Sequence, residues 1–261
     1  MLGAIAGDII GSRFEWNNIK TTEFTLFTPE STFTDDSVLT VAVAQWVLDG
    51  GPLEVYISLL KEYTRRYPGR GYGGFFMTWV HSDQTGPYNS WGNGSAMRVS
   101  PVGFACNHLD EVLEKAKETA MVTHDHPEGI KGAQATAAAI FLARTGKDKE
   151  AIKEYVSTTF GYNLDEPIDQ VRPTYRFDVS CQGTVPPAIR AFLESTSVED
   201  AIRLAVSLGG DSDTVACITG GIAEAFFGGL PEALKQETLK RLDPGLKKVV
   251  NEFYRTYEPF S

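Results

Sequence analysis

Two short acidic stretches, far apart in the chain, each open a helix that is apolar on nearly every face. The first is Thr34-Asp35-Asp36-Ser37, followed by the apolar run Val38 to Leu48. The second is Gly209-Gly210-Asp211-Ser212-Asp213-Thr214, followed by Val215 to Ala223. A helix that is hydrophobic all round belongs in the interior, so both acidic beginnings lie inside the protein. Burying like charges together is costly unless a cation or hydrogen-bond donors compensate them. A helix N-terminus supplies part of that compensation through its free N–H groups and dipole, and a divalent cation would supply the rest. Taken singly, each stretch reads as a capped helix start with acids in its first turn. If the fold brings the two together, Asp35, Asp36, Asp211 and Asp213 converge with the hydroxyls of Thr34 and Thr214. That all-oxygen ligand set suits Mg²⁺ or Mn²⁺ rather than zinc or copper.

The rest of the chain carries helical periodicity. Helices are predicted over 1–11, 35–49, 53–67, 73–81, 94–105, 109–122, 127–145, 148–159, 185–194, 198–207, 213–227 and 231–257. Residues 12–33 and 82–94 read as loops, and 161–184, with Pro167 and Pro173, is the place for any extended structure. No repeat, low-complexity tract or long linker divides the sequence, so one compact all-α helical domain over 1–261 is expected. Lys plus Arg number 24 against 34 for Asp plus Glu, a formal net charge of -10, which argues against sequence-independent nucleic-acid binding. An anionic small ligand remains compatible if bound metal supplies positive charge locally. The cysteines Cys106, Cys181 and Cys217 form no disulfide framework or zinc knuckle, which fits a reducing compartment. The N-terminus is a poor signal peptide, with Asp8 interrupting its short apolar run, and no run reaches the ~20 residues of a membrane span. A soluble, cytoplasmic, monomeric protein is expected.

Other residues are candidates for a site. Asp8 reads as a buried hydrogen-bonding residue. Glu15, between Phe14 and Trp16, is either a movable carboxylate at a site mouth or an ordinary acid. The stretch Asn89-Ser90-Trp91-Gly92-Asn93-Gly94-Ser95 is either an Asn-Gly turn or a backbone that lets a phosphate approach. Arg98, in an apolar helix, either holds a phosphate or pairs with a buried acid. Thr123-His124-Asp125-His126 lacks a third ligand for zinc; a helix cap with one histidine facing a cleft is the sober reading. Cys181 and Cys217 read as small core residues.

These residues together resemble the ADP-ribosylglycohydrolase family. Four signatures stand in the family's order: Gly7-Asp8-x-x-Gly11-x-x-x-Glu15, Thr34-Asp35-Asp36-Ser37, Gly92-Asn93-Gly94-Ser95-Ala96-Met97-Arg98, and Gly209-Gly210-Asp211-Ser212-Asp213-Thr214. His124 falls between the last two. The one departure is Ser212, where the family commonly has threonine; a hydroxyl is retained. The resemblance implies an all-α fold with a central cleft holding two Mg²⁺ or Mn²⁺ ions. Thr34, Asp35, Asp36 and Asp213 would hold one ion, and Asp211, Asp213 and Thr214 the other. Glu15 would be the movable acid, and Ser90, Trp91, Gly92, Asn93, Gly94 and His124 would contact ADP-ribose. The implied activity is hydrolysis of the glycosidic bond at the distal ribose of ADP-ribose on a protein side chain or small acceptor. In that scheme Asp211 or Asp36 accepts a proton from water and Glu15 assists the leaving group. Two alternatives are a non-catalytic ADP-ribose-binding module and an all-α Mg²⁺-dependent isoprenoid-diphosphate enzyme. The second normally needs a further aspartate one helical turn on, where Leu39 and Thr40 stand.

Overall fold

The computed structural model describes residues 1–257; the last four residues of the expected domain lie outside them. Among the described residues there is no strand, and the one extended pairing is an antiparallel bridge between Gly92 and Ser180. The helices are α1 (Leu2–Gly11), continued by a 3₁₀ turn (Ser12–Phe14), α2 (Asp35–Asp49), α3 (Leu53–Arg66), α4 (Gly74–Val80), α5 (Gly94–Met97), α6 (Ser100–Ala105), α7 (Leu109–Met121) and α8 (Pro127–Arg144). They continue as α9 (Lys149–Phe160), α10 (Ile168–Val171), α11 (Cys181–Glu194), α12 (Val198–Ser207), α13 (Ser212–Phe227), α14 (Glu232–Arg241) and α15 (Pro244–Tyr257).

The all-α expectation holds, with differences that have local causes. The helix expected over 94–105 is two, because Pro101 sits at the start of α6. Proline lacks the N–H a continuing helix needs but suits a first turn. The helix expected over 231–257 breaks at Leu242, whose ψ of 149° is extended. Asp243 then caps α15 by accepting from the Leu246 N–H at 2.8 Å. Helix α11 begins four residues before the expected start at 185, because Ser180 Oγ accepts from the Gly183 N–H at 3.0 Å. It then runs through Pro186 and Pro187. The stretch 161–184 holds the short α10 and, at Ser180, one side of the antiparallel bridge, the little extended structure expected there.

Helix α13 is the centre: every residue from Ser212 to Ala225 is buried. Helices α8, α11 and α12 close round it, and α2 lies against α1 with α3 and α15 beyond. Helix α1, itself wholly buried, lies along α13 in backbone contact. Gly3, Gly7 and Gly11 recur every four residues, so they share one face of α1. A Cβ at Gly7 would come 2.0 Å from the Ala216 carbonyl oxygen, one at Gly3 2.3 Å from that of Gly220, and one at Gly11 2.6 Å from Asp213 Cα. Gly220 answers from the other side, where a Cβ would lie 2.2 Å from the Gly3 carbonyl oxygen.

The far end of this pair is fixed by charge. The α-ammonium of Met1 meets Glu224 Oε2 at 2.5 Å with both groups buried, and the Gly3 N–H donates to the same oxygen at 2.8 Å. Tyr254 of α15 donates to the other carboxylate oxygen while accepting from the Leu2 N–H at 2.8 Å. Burial pushes the α-amino group down to about 6 against the opposing pull of Glu224.

Gly7→Ala forces two backbones apart, for which overpacking costs about 3 kcal/mol or more. The melting temperature should fall by roughly 6 to 12 °C. Gly86→Ala, with nothing within 4 Å of its added carbon, should leave it nearly unchanged in the same thermal scan.

Candidate active site and metal centre

The α1–α13 contact sets Asp8 of α1 beside Asp213 in the first turn of α13. Asp8 then ties both to α2. Its carboxylate accepts from the Thr34 N–H at 3.0 Å, the Thr34 hydroxyl at 2.7 Å, the Ser37 N–H at 3.1 Å and the Ser37 hydroxyl. The expected hydrogen-bonding role of Asp8 is therefore what it performs. Thr34 caps α2, accepting from the Asp36 N–H at 3.3 Å.

The second helix start is shaped by glycine. Gly209 and Gly210 both have φ of 69°, a left-handed conformation that side chains disfavour. A Cβ at Gly210 would also strike the Tyr175 ring at 2.6 Å. The Asn18 side chain brackets Gly210, accepting from its N–H at 2.8 Å and donating to its carbonyl at 2.9 Å. Asp211 follows as the N-cap residue of α13 with one oxygen, Oδ2, held by the Asn93 amide at 2.7 Å. Asp213 Oδ1 accepts from the Thr214 N–H at 3.0 Å.

The two remote acidic beginnings meet. Asp36 Oδ2 accepts from Thr34 Oγ1 of its own helix start and from Thr214 Oγ1 of the other, each at 3.4 Å. Two carboxylate triads result, Asp8–Asp36–Asp213 and Glu15–Asp211–Asp213, each with one oxygen per residue within 4.8 Å of the others. Asp213 belongs to both. Asp35 lines the same cleft. Among the described residues no ion pair reaches any of these acids. Burial, reinforced by neighbouring carboxylates, holds Asp35, Asp36 and Asp213 well above the usual carboxylate range. Burial also raises Asp8 and Asp211, although hydrogen bonds oppose it. Half-buried Glu15 is pushed up to about 7 by burial and then by Asp211 and Asp8.

A divalent cation fits these residues. The donors are hard oxygens, no protein cation compensates them, and Asp36 Oδ1 is buried with no hydrogen-bond partner. An orphaned, buried carboxylate oxygen is expensive unless something binds it.

Above this floor is a cleft of about 440 Å³. One wall carries Ser90, Gly92, Asn93, Gly94 and His124, as expected, together with Tyr88 and Arg98. Thr34 and Trp91 are the predicted residues that do not line it: Thr34 lies beneath the floor, and Trp91 sets its ring edge-on to His126 at 5.6 Å. Of the two readings of Arg98, pairing with a buried acid is not what the structure shows. Its Nη2 donates to the Thr119 carbonyl and the Thr123 hydroxyl, both at 2.8 Å, and no carboxylate pairs with it among the described residues. The mouth carries an apolar rim that sequence reading missed: Trp16, Phe75, Phe177 and Val179. Trp16 is 77% exposed and Phe75 83%, and Trp16 stacks on Phe177 with centroids 5.3 Å apart. Nothing in the sequence pairs those two rings; the only signal was Trp16 beside an acid.

The sequence profile of the ADP-ribosylglycohydrolase family matches residues 1–259. The chain belongs to the ADP-ribosylglycohydrolase family. Membership makes it a hydrolase of glycosidic linkages to ADP-ribose. The chain is 28% identical to the ADP-ribosylhydrolase ARH3 of Xenopus tropicalis, over 87% of this chain and 86% of that one. It is 25% identical to the human protein of the same name, over 90% and 87%. The ADP-ribosylarginine hydrolase Tri1 of Pseudomonas putida is 31% identical over 54% of this chain and 40% of its own. A solved structure described as an ADP-ribosylglycohydrolase-related protein complex superposes with a TM-score of 0.71 at 22% identity, over 98% of this chain and 97% of that chain. That likeness confirms the helical fold.

The acidic floor dictates a pH response of the metal-free protein. Its carboxyls keep protons in the folded state that the unfolded chain releases near pH 4. The Glu15 share of this stability is therefore full below about pH 4 and is lost as pH rises through about 7. In EDTA, the melting temperature should be lower at about pH 8 than at about pH 6. Added Mg²⁺ should raise it more at the higher pH, where more of the site's carboxyls are ionised. Equal melting temperatures across that range, with or without the ion, would contradict the reading.

Proposed function

We propose that the protein is a divalent-metal-dependent hydrolase that cleaves the glycosidic bond at the distal ribose of ADP-ribose carried on a protein side chain or small acceptor. The observation that carries the metal dependence is the pair of carboxylate triads sharing Asp213, with one buried oxygen of Asp36 left without a partner. Two Mg²⁺ or Mn²⁺ ions are the reading this favours. Thr34, Asp35, Asp36 and Asp213 would hold one, and Asp211, Asp213 and Thr214 the other. When bound, such ions supply Lewis acidity toward sugar hydroxyls and water.

The chain's own groups account for the remainder. Glycoside cleavage passes through an oxocarbenium-like transition state and needs a proton for the leaving group and an acceptor for water's proton. Glu15 stands half-buried at the mouth, where burial and the neighbouring Asp211 and Asp8 raise its carboxyl to about 7 in the metal-free protein, and it is the carboxyl placed to deliver a proton to the departing acceptor. Asp211 has one oxygen fixed by Asn93, which orients the other to take a proton. Asp36 is the second candidate for that role. The glycines at 92 and 94 leave room in the cleft wall for the His124 ring, and the stacked Trp16 and Phe177 rings give the mouth an apolar edge. The relatives named as ARH3 and as an ADP-ribosylarginine hydrolase support ADP-ribose as the glycosyl part.

The test is a panel of ADP-ribosylated substrates, linked through arginine, serine, a nucleobase or an O-acetyl group, assayed with and without EDTA. Turnover of at least one, lost in EDTA and restored by Mg²⁺ or Mn²⁺, is expected. Asp211→Asn and Asp35→Asn should lower kcat about 100-fold or more with unchanged circular dichroism. Wild-type rates in either variant under metal-buffered conditions would overturn the assignment.

A further inference from the structure

Two buried residues linked to His124 take no part in the chemistry above. Arg98 ends α5 and Thr123 follows α7, and both are fully buried. Arg98 Nη2 donates to Thr123 Oγ1 at 2.8 Å, and the same oxygen lies 2.7 Å from His124 Nδ1. A guanidinium has donors only, so the threonine oxygen is the acceptor in the first contact. That leaves its single hydrogen for the second, because Nδ1 is its other polar partner among the described residues. Were Nδ1 protonated instead, it would donate to an oxygen already accepting, and the hydroxyl hydrogen would be buried without an acceptor. A buried donor left unmade carries its full desolvation penalty. Nδ1 therefore accepts, and the ring's own proton sits on Nε2.

Nε2 is the nitrogen that faces the cleft. It lies 3.2 Å and 3.4 Å from where a Cβ would stand on Gly94 and Gly92, so the ring occupies space those glycines leave open. Burial and the nearby Arg98 charge hold the imidazole well below its ordinary protonation range, so a second proton is not taken up.

We infer that Arg98 and Thr123 are positioning residues that lock His124 as the neutral Nε2–H tautomer, a fixed hydrogen-bond donor for an acceptor oxygen of ADP-ribose lying over Gly92 and Gly94. The ligand half of this inference rests on the proposed function; the tautomer does not. The relay makes the wall selective, because a ligand presenting an N–H at that point would meet a donor and leave both groups unpaired.

Long-range ¹H–¹⁵N correlation spectra of the full chain, without metal or ligand, read the tautomer directly. The His124 signal, assigned with a His124→Asn sample, should show Nε2 protonated and Nδ1 bare. Thr123→Val keeps the shape and removes the hydroxyl. It should abolish the tautomer preference and weaken ADP-ribose binding about tenfold, raising KM with little change in kcat. Thr123→Ser should restore all three. A protonated Nδ1 or an imidazolium in the wild type overturns the relay, as does a folded Thr123→Val with unchanged spectrum and affinity. If Thr123→Val does not fold, the wild-type spectrum and the Thr123→Ser variant still decide. Should the wild type show the expected tautomer yet bind no ADP-ribose, the hydrolase reading and the ligand half fall while the relay stands.

Discussion

The architecture depends on two helix backbones lying against each other with no side chains between them. Along α1 and α13 the carbonyl oxygens of Ala216 and Gly220 lie only 2.0 and 2.3 Å from where Cβ atoms of Gly7 and Gly3 would be. That approach puts Asp8 at the first turn of α13, and Asp8 in turn draws in the start of α2 through four donors from Thr34 and Ser37. One packing contact and one carboxylate therefore assemble three helix ends into a single floor. Dispersion and exclusion of water along the helices stabilise the contact, and the acids ride on it.

That floor works against the fold. Six acids share it without an ion pair among the described residues, and each is pushed toward its protonated form. The hydrogen bonds present satisfy Asp8 fully and Asp36 only in part. Local rules of charge satisfaction are broken here, whereas the buried α-ammonium has its partner in Glu224. Departures of this kind concentrate at functional sites, where the rest of the core must offset them. The departure at Arg98 is different in kind. It is a buried cation used to orient a neutral neighbour.

How much of this was legible beforehand depends on where the signal lay. The meeting of Asp36 with Asp213 and Thr214 was readable because apolar runs after each acidic stretch forced both ends indoors. The order of the four signatures then named the family. The glycines of α1 were visible, but their partner was not, since sequence does not say which helix a small-residue face will meet. The breaks at Pro101 and Asp243 were carried by single residues inside otherwise helical patterns, and Ser180 as a cap was masked by Pro186 and Pro187 downstream. The stack of Trp16 on Phe177 joins two irregular segments, where no periodicity exists to read. The Arg98–Thr123–His124 chain was hidden because its meaning lies in who donates to whom, which depends on geometry.

The residues that ring the entrance, Trp16, Phe75, Phe177 and Val179, lie at the loose ends of the helical scaffold. Trp16 follows the 3₁₀ turn, Phe75 sits at the start of α4, and the other two precede α11. None of these side chains bears on the α1–α13 seam. Exchange or lengthening of the segments that carry Phe75, Phe177 and Val179 leaves the buried aspartates of the floor where they are, so that side of the doorway can be retailored while the floor behind it is inherited unchanged. Only the Trp16 side is tied, through its neighbour Glu15, to the acids themselves.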